Sequence, residues 1–273
     1  MHAPAQQLPS LSNESLMPAH AVVAVNEFGE PVDAHIPGEL PLTIRVDGME
    51  VVTLMTLGTQ PEALTLGYIR NQKLIDDVEL IKSVIVDWDR ELVDVTTHAG
   101  TGIADWQEKM KRRIVTSGCG QGTIFSCTVD KLYEVQLQPP LLKQSEIYTL
   151  IRNVSQLNDV YRVSGAVHGC GLCTATESIM HIEDVGRHNA LDKLIGERLQ
   201  TGLLPLTGHL LLLSGRVSFE LVQKALLAEA PVIVAVGAPS SLAVELAEET
   251  GITLIGFVRD GKYNIYTHPE RIV

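Results

Sequence analysis

The chain has 273 residues, 45% of them hydrophobic and 20% charged, which suits a globular protein of one large domain or two modest ones. A formal net charge of −12 excludes a general nucleic-acid binder, because such a protein needs a basic face to displace counterions. No apolar run reaches the roughly 18 residues of a membrane span, the first residues carry no signal-peptide pattern, and four cysteines in so long a chain make no disulfide framework; the expected compartment is a reducing cytoplasm.

Residues 1–19 are rich in Pro, Ser, Gln and Asn without periodicity and read as a disordered arm. Residues 20–115 read as a small α+β domain. Leu42 to Val46 alternates apolar and polar, Asp47-Gly48 offers a tight turn, and Val51 to Leu54 runs back. Pro61 to Arg70 reads as a helix with Pro61 and Glu62 in its first turn. Val84 to Val86 and Leu92 to Val95 form another strand pair. Residues 116–144 are a Gly-, Ser- and Thr-rich cysteine loop and a linker marked by Pro139-Pro140.

Residues 145–273 alternate strand and helix. A helix is expected from Ser145, as its cap, to Leu157. Ser178–Val185, His209–Leu213, Val232–Val236 and Thr253–Val258 read as strands. Asn189–Gln200, Phe219–Ala228 and Leu242–Glu249 read as helices, with Gly202 and Gly251 past two of their ends. Asp260-Gly261 turns the chain into a final strand, Lys262 to Thr267. The pattern implies an α/β fold with a layered, largely parallel sheet and one antiparallel edge. Ligands on such sheets sit outside the carboxyl ends of the strands. Three segments fall there: Ser214-Gly215-Arg216, Gly237 to Ser240, and Arg259 to Lys262.

Chemistry could reside in several places. In Thr116-Ser117-Gly118-Cys119-Gly120-Gln121-Gly122-Thr123, glycines leave the sulfur open, and Lys109, Lys111, Arg112 and Arg113 lie upstream. Positive neighbours lower a thiol pKa, and a thiolate on a mobile loop suits accepting sulfur as a persulfide. The bland alternative is a turn with an incidental cysteine. His168-Gly169-Cys170-Gly171-Leu172-Cys173 carries a C-x-x-C pair, which fits a redox dithiol, half a zinc site, or two small buried residues. His181-Ile182-Glu183 matches the H-x-E of zinc deaminases, but the C-x-x-C precedes it and no proline precedes Cys170, the reverse of the deaminase pattern.

Glu183-Asp184-Val185-Gly186-Arg187-His188-Asn189-Ala190-Leu191-Asp192-Lys193 packs polar residues where a strand turns into a helix. Arg187 and His188 at the helix start favour an anion, and the alternative is capping and surface solvation. Ser214, Gly215, Arg216, Ser240, Ser241, Arg259 and Lys262 form a candidate anion-binding set whose glycine spacing matches neither a P-loop nor a dinucleotide fingerprint.

Taken together, Thr116 to Gly120, Glu183 to Lys193, Ser214-Gly215-Arg216-Val217-Ser218 and Gly256 to Thr267 resemble the formate dehydrogenase accessory sulfurtransferase family, FdhD, as does Glu39 to Ile75. The resemblance runs in order over residues 20–273, and the run from Glu183 to Lys193 is its most specific part. It implies a sulfur carrier that accepts persulfide sulfur from a cysteine desulfurase. That sulfur would go to a molybdenum or tungsten bis(molybdopterin guanine dinucleotide), bound as substrate, for the formate dehydrogenase catalytic subunit. It further implies a cytidine deaminase-like larger domain without the zinc, no tightly bound metal, and a homodimer. Cys119 would carry the persulfide, and Phe257-Val258-Arg259-Asp260-Gly261-Lys262 would bind the cofactor. The family loop is C-G-x-C, and its second cysteine is Gly122 here. Cys170 or Cys173 is therefore the candidate replacement thiol. A non-catalytic chaperone for the cofactor is the alternative.

Overall fold

The computed structural model describes residues 8–75, 77–103, 113–115, 123–125, 132–138, 140–155, 157–259 and 261–273. The N-terminal part holds β1 (Ser10–Leu11), β2 (Ala19–Val25), β3 (Pro31–Pro37), β4 (Leu40–Val46), β5 (Met49–Thr56), helix α1 (Pro61–Asn71), β6 (Ile81–Asp87) and β7 (Leu92–Thr97). Its sheet has the order β1-β6-β7-β4-β5. Alternation along β4 sends Leu42, Ile44 and Val46 inward, where they meet Leu66, Ile69, Val84 and Val95. The expected disordered arm is held in part. β1 pairs with β6, the Ser12 hydroxyl donates to Glu62 at 2.6 Å, and Ser12 Oγ accepts from Val86 N at 3.0 Å. Low hydrophobicity hid this tether, because it runs through backbone and hydroxyl groups. β2 and β3 form a separate hairpin that alternation in the sequence marks only weakly.

Two short strands, β8 (Arg113–Val115) and β9 (Thr123–Phe125), pair antiparallel. Cys119, Gly122 and Cys127 lie outside the described residues.

The rest comprises α2 (Gln144–Ser155), α3 (Asp159–Ser164), β10 (His168–Cys173), β11 (Ser178–Asp184), α4 (Arg187–Gln200), β12 (Leu210–Leu213), α5 (Phe219–Leu227), β13 (Val232–Ala235), α6 (Ser241–Thr250), β14 (Thr253–Arg259) and β15 (Lys262–Ile265). Ser145 lies inside α2 and is not its cap. The six strands run in the order β11-β10-β12-β13-β14-β15. Only β12, β13 and β14 are mutually parallel; β10, β11 and β15 pair antiparallel, so both edges are antiparallel rather than one. The extra strand, β10, is the C-x-x-C segment, whose glycines and cysteines mask its strand character.

Helices cover both faces of this sheet. On one, Leu211, Leu213, Ile233, Ala235 and Leu254 meet Leu191, Leu194, Leu221, Val222 and Leu246 of α4, α5 and α6. On the other, Leu210, Leu212, Val232, Val234 and Ile255 meet Ile147, Leu150 and Val154 of α2. Consecutive leucines in β12 thus serve opposite cores, which explains its unbroken apolar run. The two sheets are joined by α1 against α4. A Cβ on Gly67 would stand 1.9 Å from the Asp192 carbonyl oxygen, and one on Gly196 1.9 Å from that of Ala63. Reciprocal glycines let the helix backbones touch.

Candidate functional site

The polar run from Glu183 to Lys193 divides into a frame and an open rim. Lys193 is fully buried, its Nζ 2.5 Å from Asp184 Oδ2 and 3.0 Å from Thr59 Oγ1. Asp184 also accepts from Thr56 Oγ1 at 2.7 Å, Leu57 N at 3.2 Å, Gly186 N at 3.0 Å and Asn189 Nδ2 at 3.0 Å. Asp192 accepts from Asn71 Nδ2 and Lys224 Nζ, both at 2.6 Å. Glu183 takes the Val160 and Tyr161 amides at 2.8 and 2.9 Å, at the start of α3. Asp184, Asp192 and Lys193 fasten α4 to the N-terminal part, Asp192 also ties it to α5, and Glu183 holds the start of α3, so these side chains have structural partners rather than solvent. Burial is tolerated because each carboxylate is paired and hydrogen-bonded.

His188 belongs to the frame as well. Its Nε2 lies 3.0 Å from Ser218 Oγ and 2.9 Å from Glu220 Oε2, with the imidazole buried. Burial lowers its pKa, against the opposing hydrogen bond from Glu220. The expected direct contact of His188 with an anion is thereby corrected: the ring ties the start of α4 to the start of α5.

The rim forms where the carboxyl ends of the parallel strands meet these helix starts. Two loops meet there, Ser214 to Ser218 and Gly237 to Ser240, with Phe257 of β14 beside them. Gly237 N donates to Gly215 O at 3.2 Å, Val217 N to Ala238 O at 3.3 Å, and Phe257 N to Gly237 O at 3.2 Å. The approach is tight enough that a Cβ on Gly237 would lie 2.5 Å from Arg216 N. Ser214, Arg216, Gly261 and Lys262 are exposed, and Gly215 and Arg187 are half-buried. A Cβ on Gly215 would stand 3.2 Å from Arg187 Cδ and 3.3 Å from His168 Cε1, so Arg187 and His168 flank this loop. The starts of α4 and α5 have no side-chain caps, which leaves their first-turn amides oriented toward the rim.

The terminal hairpin adds a strained aromatic. Phe257 is 44% exposed and adopts φ +56°, at an irregularity in the β14–β15 ladder between Gly256 and Arg259. A non-glycine residue in the left-handed region costs about 1–2 kcal/mol, and such strain concentrates at functional sites. Val258 is buried against α2, and Arg259 pairs with Lys262 across the turn; Asp260 lies outside the described residues.

Beside the rim, on the α2 face, opens a small cleft. Ile151, Val154, Leu212, Val234 and Val258 line it, with Asn158, His181 and Ser214 as polar members. Ser214 thus belongs to both the charged rim and the apolar cleft. The sequence pattern offered His168 and His181 only as candidate zinc ligands, and Asn158 not at all. The one signal that could have found His168 is its place at the N-terminal end of an antiparallel strand, which sets it beside the carboxyl end of β12.

Cys170 and Cys173 do not form a reactive pair. Both are 0% exposed, and three-residue spacing on a strand sends one to the α4–α6 core and the other to the α2 core. Burial pushes the Cys173 thiol up to about 11 and the Cys170 thiol still higher. The expected relay or resolving role lacks an accessible thiolate, and a shared zinc site lacks a common face. No cluster of three or more metal-ligating side chains occurs among the described residues.

Comparison with known proteins places the chain in a family. The FdhD/NarQ family pattern matches residues 37–273. The sulfur carrier protein FdhD of Streptomyces avermitilis is 35% identical over 248 residues, covering 86% of this chain and 87% of its own. That of Sulfurisphaera tokodaii is 33% identical, covering 91% and 95%. That of Bacillus subtilis is 34% identical, covering 88% and 91%. The crystal structure of a candidate formate dehydrogenase accessory protein from Desulfotalea psychrophila superposes with a TM-score of 0.71 at 25% identity, over 95% of this chain and 100% of that one. This chain belongs to the FdhD/NarQ family.

Proposed function

We propose that the protein carries sulfur for a formate dehydrogenase and holds the dehydrogenase's molybdenum or tungsten bis(molybdopterin guanine dinucleotide) as substrate while sulfur is delivered. Family membership supports the sulfur-carrying role. The thiolate of Cys119 would exchange with the persulfide of a cysteine desulfurase, gaining the terminal sulfur and leaving the donor as a thiol. Arg187 beside the Ser214-Gly215-Arg216 loop, at two uncapped helix starts, carries the cofactor-binding part of the reading, to which the family resemblance adds Lys262 on the terminal hairpin. A guanine dinucleotide presents phosphates, for which guanidinium groups and open helix amides are matched donors. The exposed Phe257 offers a face for a flat ring, and the adjoining cleft offers apolar room. A cytoplasmic location and a homodimer belong to the same reading, and no helix among the described residues is long and apolar enough to cross a membrane. A cytidine deaminase-like origin of the larger sheet is a proposal of the same standing, supported by its mixed strand order under helices on both faces.

Calorimetry with guanosine diphosphate tests the binding site. Arg216→Ala and Lys262→Ala should each weaken binding about tenfold, as loss of a charge-assisted hydrogen bond does; unchanged affinity in both would remove the site. Gly122, in place of the family's second loop cysteine, favours a second reading in which the chain only chaperones the cofactor. A Cys119→Ala variant that still activates formate dehydrogenase would select it.

A further inference from the structure

The proposed binding site contains a histidine that no part of the reading so far employs. His168 opens β10, half-buried between the Ser214 loop and the start of α4. Its Nδ1 lies 3.2 Å from Ser214 Oγ, and that same oxygen accepts from Gly169 N at 3.0 Å. In the neutral ring either Nδ1 or Ser214 Oγ can donate across this contact; once the imidazole is protonated both nitrogens donate, Nδ1 to Ser214 Oγ and Nε2 away from it. Among the described residues, Nε2 has no hydrogen-bond partner.

We propose that His168 is a further binding residue for the anionic substrate, donating from Nε2 to a phosphate group beside Arg187 and gaining a proton as the ligand enters. The inference rests on the phosphate-binding reading of the rim given above. Geometry supplies the neighbourhood: His168 and Arg187 flank the same loop, each within van der Waals reach of Gly215. Burial lowers the pKa of the ring most, Arg187 and His188 from α4 disfavour its charge further, and Asp184 at the end of β11 favours it. In the free protein the imidazole is therefore held neutral at pH 7. A phosphate reverses the local balance, since a dianion next to Nε2 raises the imidazole pKa. Within the window between the free and bound values, binding takes up a proton. Affinity then rises as pH falls through the bound value and levels off below the free one.

The test is calorimetry of guanosine diphosphate binding from pH 5.5 to 8.5, in pairs of buffers with different ionisation heats. Wild-type protein and His168→Gln are compared, so that titration of the ligand's own phosphate is common to both. His168→Gln should bind about tenfold more weakly at pH 6, approach the wild type at pH 8.5, and lose the protein's share of proton uptake. Ser214→Ala, which removes the acceptor at Nδ1, should reduce the proton uptake less than His168→Gln does; a full loss in Ser214→Ala with none in His168→Gln would overturn the assignment. Equal affinity and equal proton uptake in His168→Gln and wild type would overturn the assignment and leave the rim intact as a binding site. Absence of binding by the wild type at every pH would overturn the site itself.

Discussion

Reactivity toward thiol reagents separates Cys119 from the C-x-x-C pair most sharply. Cys173 is pushed up to about 11 by burial. At pH 7.5 that leaves a thiolate fraction of about 3 × 10⁻⁴, against about one tenth for a free thiol, a roughly 300-fold loss of nucleophile. Cys170, at the centre of the α4–α6 core, is shifted further in the same direction. Neither sulfur is accessible, so a reagent must wait for the sheet to open, and a domain of ordinary stability visits such states with a probability of about 10⁻⁴ or less. The assay is pulse alkylation with iodoacetamide followed by peptide mass spectrometry, in buffer and in urea. Cys119 should be modified within minutes in buffer. Cys170 and Cys173 should be modified only where urea unfolds the protein. Modification of either at a rate within tenfold of Cys119 under native conditions would refute their burial and restore the relay.

Further outcomes follow from the frame and the rim. Lys193→Met strands the Asp184 carboxylate in the interior and should cost about 3–5 kcal/mol in urea unfolding, less in the Asp184→Asn, Lys193→Met double variant than the two changes summed. Gly67→Ala drives a methyl group into the Asp192 carbonyl, which is backbone and cannot yield; it should abolish soluble expression or lower Tm by more than 10 °C. Phe257→Gly relieves the left-handed strain and should leave thermal stability unchanged or raised, while weakening guanosine diphosphate binding; a fall in Tm with intact binding would show that Phe257 serves packing instead.

Much of the larger sheet was legible because its strands obey simple rules. The unbroken Leu210–Leu213 and Val232–Ala235 runs announce strands buried on both faces, and turn chemistry at Asp260-Gly261 announces the hairpin. The meeting of the Ser214 and Gly237 loops followed from strand direction alone. β10 was not legible, because His168, glycines and cysteines carry little strand propensity, and its place is set by pairing on both sides with β11 and β12. That oversight made the C-x-x-C look like chemistry: on a strand the same spacing separates the two sulfurs. The run from Glu183 to Lys193 was recognisable as special, but composition could not divide ligand groups from structural ones. Partners distant in sequence decide that, with Thr56, Thr59 and Asn71 claiming Asp184, Lys193 and Asp192. Ser12 and β1 likewise depend on contacts with Glu62 and β6 that no local pattern reveals.

Persulfide mapping puts the sulfur-carrying role to the most direct test. The protein is incubated with a cysteine desulfurase and cysteine, trapped by alkylation, and digested for mass spectrometry. The expected result is one added sulfur on the peptide bearing Cys119, undiminished in a Cys170→Ala, Cys173→Ala variant that remains folded. Sulfur on Cys170 or Cys173, or none on Cys119 while formate dehydrogenase is still activated, would contradict it.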